Sequence, residues 1–170
     1  MIEDIELTRR VATMTAEACR ELFDAYGVAL EPADKEWQTD HERMLCGVIG
    51  FVGSGVRGSC VLAGHDTPIL RSCPEGDQVR DWVGELTNQL AGRIKSKFLK
   101  HNIEIGLSTP VGLSGVALQP LPRNELKPTC FSALGGTVLV WVEVDAEPSF
   151  EFNENASVEV GRSEGEIVLF

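Results

Sequence analysis

Three polar side chains in this 170-residue chain, Asp81, Glu85 and Asn88, are spaced so that one helix face can hold them all, and Pro110 follows with twenty-one residues between it and Asn88. Steps of four and three place two carboxylates and an amide along a single line of an α-helix. A carboxylate on such a line pairs with a cation. An amide accepts one hydrogen bond and donates another without adding negative charge, which suits it to orient a water molecule. The ordinary alternative is a solvated helix face, since any such face carries Asp, Glu and Asn. Two features weigh against it. Gly84 and Gly92 lie inside the same segment beside the polar line, although each costs roughly 1 kcal/mol relative to alanine in a helix. A surface that another backbone approaches closely explains them. Pro110, with its fixed φ and no N–H, shapes a loop beside the helix and supports it without taking part in chemistry.

The element that positions the trio runs from about Gly76 to Lys100. It has no internal proline, and Val79, Val83, Leu86, Leu90, Ile94 and Phe98 recur at three-to-four-residue spacing, the pattern of an amphipathic helix. Asp81, Glu85 and Asn88 fall on the side opposite the apolar stripe. A first helix is expected over Thr8 to about Tyr26, with Val11, Met14, Ala18, Leu22 and Phe23 or Tyr26 on one face and Gly27 as its stop. Met44 to Val52 reads as a buried strand, Ser59 to Gly64 as a second, His101 to Thr109 as a strand ending at Pro110, and Val111 to Leu118 as the next. A loop marked by Pro120, Pro122 and Pro128 follows, then the clearest strand, Thr137 to Val144, and a short last one at Glu166 to Phe170. His65 to Pro74 reads as a polar connection.

The pattern resembles the signature of the CheC/CheX/FliY family of chemotaxis phosphatases, which remove the phosphoryl group from phosphorylated CheY-type response regulators. Asp81, Glu85, Asn88 and Pro110 fill its four places. The resemblance implies that Glu85 and Asn88 are the catalytic pair, with Asn88 orienting the attacking water and Glu85 holding the regulator's active-site lysine. Asp81, Gly84, Gly92 and Pro110 are then partner-binding or supporting positions. No intrinsic cofactor or metal is implied, because Mg²⁺ comes with the regulator. On the first helix Glu17 and Glu21 are followed three residues later by Arg20 and Asp24, so the chain carries one E-x-x-N site, as CheX-type members do. Those members are homodimers, which implies the same here. The implied fold is α+β: a CheC-like or CheX-like two-layer sandwich, with a mixed, mostly antiparallel sheet packed by two long helices. The rival reading is a non-catalytic adaptor or scaffold that binds a response regulator or flagellar motor component through the same helix. The presence of both Glu85 and Asn88 leans against it.

Composition sets the remaining bounds. With 43% hydrophobic residues, the chain suits one domain spanning residues 1–170 and needs no metal or disulfide to fold. A formal net charge of −11 argues against nucleic acid and anionic membrane partners and favours a partner with a basic patch. The five cysteines (Cys19, Cys46, Cys60, Cys73 and Cys130) form no C-x-x-C pair and are expected reduced and mostly buried. An acidic N-terminus and the lack of a long apolar run point to the cytoplasm. His41, His65 and His101 are widely separated and expected on loops, so no metal site is expected. Gly53-Ser54-Gly55-Val56-Arg57-Gly58 satisfies G-x-G-x-x-G, but a strand follows where a dinucleotide fingerprint needs a helix, so it reads as a hairpin. Ser54 and Ser114 lack the spacing of a nucleophile elbow. Trp37, Trp82 and Trp141 are core or interface residues; Trp82, beside the polar line, is read first as core and second as a partner contact.

Overall fold

The computed structural model describes residues 2–33, 41–74, 78–118 and 127–152. Helix α1 spans Ile2–Ala25, longer at its start than the expected Thr8 boundary. It turns Leu7, Val11, Ala18, Leu22 and Phe23 into the core. Gly27 stops it as expected. With φ at +72°, Gly27 donates its N–H to Asp24 O at 2.9 Å, and the Val28 N–H reaches back to Phe23 O at 3.0 Å. This paired closure satisfies two helix-end carbonyls and needs a left-handed residue at Gly27.

A two-residue strand β1 (Glu31–Pro32) precedes the long hairpin of β2 (Arg43–Gly53) and β3 (Val56–His65). Gly53 pairs with Val56, so Ser54-Gly55 is a tight two-residue turn with Gly55 at φ +73°. No helix opens at the glycine-rich stretch. The segment read as a polar connection holds a short helix, α2 (Asp66–Ser72). Its Pro68 falls within the first turn, where the missing N–H costs nothing. His65 is not on a loop: it ends β3, is buried, and accepts a hydrogen bond at Nδ1 from the Thr137 N–H at 3.0 Å.

Helix α3 (Val79–Leu99) carries the polar trio. Three strands expected or missed follow: β4 (Ile105–Leu107), β5 (Val111–Val116) and β6 (Thr129–Ala133), and then β7 (Gly136–Ala146). Strand β4 is much shorter than the expected His101–Thr109 run because Asn102, at φ 59°, turns the chain. The Ile103 N–H closes back on Phe98 O there. Ile103 still buries its side chain, which accounts for the misleading alternation. The expected strand at Glu166–Phe170 lies outside the described residues.

The sheet order is β1-β6-β7-β3-β2-β4, with β5 also pairing with β2, and every described pairing is antiparallel. Alternation along the strands gives each sheet face its own apolar set. One set, including Ile49, Phe51, Cys60, Leu62, Val140 and Val142, packs with Leu22, Phe23, Leu86, Leu90 and Phe98 of α1 and α3. The other, Met44, Cys46, Val61, Leu139 and Trp141, forms a second cluster. The fold is therefore α+β, with two long helices layered on an antiparallel sheet.

Candidate functional site

The apolar side of α3 fixes which way its polar side points. Trp82, Val83, Leu86, Leu90, Ala91, Ile94 and Phe98 are buried, while Asp81, Glu85 and Asn88 are exposed. The helix comes very close to the sheet at one point. A Cβ on Gly47 of β2 would overlap Thr87 Oγ1 and lie 2.8 Å from Thr87 Cβ and 3.0 Å from Val83 O. Thr87 is fully buried and donates its hydroxyl to Val83 O at 2.7 Å, which satisfies it without a partner from the sheet.

Pro110 sits where two strands share one neighbour. Strand β4 pairs with Phe51–Gly53 of β2, and β5 pairs with Arg43–Val48, so the β2 ladder is interrupted around Gly50. Ser108 bridges the gap: its N–H donates to Gly50 O at 2.9 Å, and its Oγ accepts the Gly50 N–H at 2.9 Å. A proline two residues on removes no ladder bond. Its ring reaches α3, with Pro110 Cγ 4.0 Å from where a Cβ of Gly84 would stand. The structure thus brings Gly84 and Pro110 together beneath the polar trio. At Gly92 nothing lies within 4 Å of such a Cβ. The close approach to α3 at a glycine is therefore at Gly47 on the strand, and a Cβ on either helix glycine would meet no described backbone of another segment within 4 Å.

Two residues the sequence did not single out join the site. Gln89 Nε2 donates to Glu85 Oε1 at 2.9 Å, and the Tyr26 hydroxyl donates to Gln89 Oε1 at 2.8 Å. The Glu85/Gln89 spacing of four was visible in the sequence; the Tyr26 contact, across 63 positions, was not. Trp82 is core: it is 3% exposed, meets Tyr26 edge-on at 5.1 Å between ring centroids, and donates Nε1–H to Ser72 Oγ at 3.0 Å.

The surroundings bear on other chemistries. Among the described residues no group of three or more His, Cys, Asp or Glu is placed to hold a metal ion. All five cysteines are free thiols, and burial pushes Cys46 up to about 11 and Cys60 up to about 12, so neither is a thiolate nucleophile at neutral pH. A groove of about 530 Å³ lined by Val52, Arg57, Ser59, Ser108 and Glu143 contains none of the trio. Asp81, Glu85 and Asn88 stand on a convex helix face, which fits insertion into a cleft of another protein better than enclosure of a small molecule. No described helix is long and apolar enough to cross a membrane.

Comparison with known proteins agrees with this geometry. Residues 45–128, which include α3 and Pro110, match the family model described as chemotaxis phosphatase CheX. The fold matches the chemotaxis protein CheX from Vibrio vulnificus at 21% identity and TM-score 0.67, covering 80% of this chain and 99% of that one. A CheC-like superfamily protein from Shewanella sp. PV-4 matches at 22% identity and TM-score 0.67, covering 80% and 97%. A structure of the CheX-CheY-BeF₃-Mg²⁺ complex from Borrelia burgdorferi matches at 14% identity and TM-score 0.57, covering 78% and 96%. No curated protein matches the chain. Residues 45–128 are thus similar in sequence to the CheX family, and over four fifths of its length the chain has the fold of CheX-like and CheC-like proteins.

Proposed function

We propose that this protein is a phosphatase for the aspartyl phosphate of a CheY-type response regulator. The observation that carries the reading is the exposure of Glu85 and Asn88 together on one line of α3, in a fold shared with a CheX solved in complex with CheY, BeF₃ and Mg²⁺. An aspartyl phosphate already has Mg²⁺ and a lysine beside it within the regulator; what it lacks is a positioned nucleophile. Phosphoryl transfer through a loose transition state gains most from placing the in-line water. The Asn88 amide accepts a hydrogen bond from that water and brings no charge toward the phosphoryl oxygens. Its side chain makes no hydrogen bond to another described residue and is free for that use. Glu85 is a poor general base so close to an anion, and instead pairs with the regulator's active-site lysine, which docks the helix. Asp81, one turn earlier, extends the contact.

On this reading Mg²⁺ belongs to the substrate complex, and the protein acts in the cytoplasm, as a homodimer, in chemotaxis or a related two-component pathway. The test is phosphate release from a phosphorylated, Mg²⁺-bound CheY-type regulator of the same organism with and without the chain. Acceleration supports the phosphatase. Binding without acceleration favours the adaptor reading, and the absence of both binding and acceleration overturns the assignment.

A further inference from the structure

Glu85 is the outer end of a hydrogen-bond chain that begins at Tyr26, in the turn that ends α1. The Tyr26 hydroxyl donates to Gln89 Oε1 at 2.8 Å, and Gln89 Nε2 donates to Glu85 Oε1 at 2.9 Å. Both ends of the Gln89 amide are engaged, so the direction of the chain is set: hydroxyl to amide oxygen, amide N–H to carboxylate. Tyr26 is itself held on several sides. It precedes Gly27 in the closed turn that ends α1, and its ring lies edge-on to Trp82 at 5.1 Å. Trp82 is tied to Ser72 Oγ at 3.0 Å, and the Ser72 hydroxyl donates to Ile69 O at 2.7 Å. A continuous set of contacts therefore runs from the core to one oxygen of an exposed carboxylate.

An exposed glutamate on a helix ordinarily samples several rotamers, and fixing one on binding costs affinity. Here folding fixes it beforehand. A neutral amide donor leaves the carboxylate charge intact, and Glu85 Oε2 has no hydrogen bond to a described residue. We propose that Gln89 and Tyr26 are positioning residues for Glu85, holding Oε1 so that Oε2 is presented to the cation of the docked regulator. This rests on the reading above that Glu85 engages such a cation. The pair selects for a cation placed against Glu85 Oε2, and so fixes the register in which the regulator docks.

The test uses Tyr26→Phe, which keeps the ring against Trp82, and Gln89→Leu, each alone and combined with Glu85→Ala. With the phosphorylated regulator as substrate, each single variant is expected to raise KM by about 3- to 10-fold, the effect of one charge-assisted hydrogen bond discounted for exposure. The kcat value stays within about 2-fold because Asn88 is untouched. In the Glu85→Ala background the same substitutions change KM by less than about 1.5-fold, since nothing remains to position. A merely structural role would persist in that background. A readout independent of turnover is the NMR signal of the Gln89 side-chain amide, which shifts in both Tyr26→Phe and Glu85→Ala if the chain of bonds exists. Unchanged KM in both single variants, or equal effects with and without Glu85, overturns the positioning role while wild-type activity keeps the phosphatase. If the wild-type chain neither binds nor dephosphorylates the regulator, the functional reading fails and the positioning role falls with it, whatever the amide signal shows.

Discussion

Pro110 and Gly84 meet across 26 positions of sequence, with the proline Cγ 4.0 Å from where a Gly84 Cβ would stand. That distance is ordinary van der Waals contact, so an alanine fits at Gly84 without moving the loop. At Gly92 there is open space. Folding therefore does not require either glycine. Gly84→Ala and Gly92→Ala should each stabilise the protein by about 0.5–1 kcal/mol, the helix-propensity difference, as read by thermal or chemical denaturation. Turnover of the phosphorylated regulator should nevertheless fall in both if they keep the surface beside Glu85 and Asn88 low for a docking backbone. Unchanged turnover would assign the glycines no part in the interface.

Gly47 behaves oppositely. A methyl group there runs into Thr87 and approaches the Val83 carbonyl at 3.0 Å, so α3 must lift from β2. Gly47→Ala should cost about 1–3 kcal/mol, as overpacking of a close contact does, and lower the denaturation midpoint accordingly. Adding Thr87→Ala should recover only part of the loss, because the Thr87 Cβ itself would stand 2.8 Å away. Full stability in the single variant would mean that the helix seats less tightly than described.

Lys97 ties the two long helices together, with Nζ 2.9 Å from Glu21 Oε1 and 3.4 Å from Glu17 Oε2 and its side chain 18% exposed. Burial pulls its pKa down, but the hydrogen bonds and charges of Glu21 and Glu17 outweigh that and leave it above the ordinary 10.5. A folded-state value above the unfolded one means the contribution is complete below the ordinary lysine value and fades as pH rises through the folded one. Lys97→Met should lose about 0.5–1 kcal/mol at neutral pH. Its difference from the parent protein should shrink in denaturation series carried above pH 10.5. A difference that grows with pH would contradict the ion-pair account.

Glu85→Lys addresses docking separately from chemistry. If Glu85 pairs with the regulator's lysine as proposed, reversing its charge turns that attraction into repulsion, and affinity for a Mg²⁺-bound, beryllofluoride-activated regulator should weaken by about 10-fold or more. Calorimetric titration reads it directly. Equal affinity would show that Glu85 faces something other than a cation.

Much of this arrangement was legible because it obeys a period. The i, i+4, i+7 line of Asp81, Glu85 and Asn88 and the apolar stripe of Val83, Leu86, Leu90 and Ile94 are local patterns, and both faces of α3 follow from them. The long strands β2, β3 and β7 were legible as apolar runs. What was missed depends on context. Helix α2 is seven residues long with Pro68 in it, too short to show a period. Strand β6 follows directly on Pro128 and lasts five residues, so it looked like the end of a loop. The Tyr26–Gln89 bond joins the turn after α1 to α3, and nothing in either segment alone marks it. The seating of Thr87 on Gly47 is likewise a tertiary contact, invisible until the helix lies on the sheet.

The measurement that bears most directly on the central claim is phosphate release from a phosphorylated, Mg²⁺-bound CheY-type regulator, with wild-type protein and with Asn88→Ala. Asn88 is exposed and makes no hydrogen bond to a described residue, so the variant should fold and denature like the parent. Its turnover should drop by about 10²-fold or more, the scale of losing one transition-state contact, while binding of the regulator through Glu85 persists. Wild-type turnover in the Asn88→Ala protein would contradict a water-orienting amide and with it the mechanism.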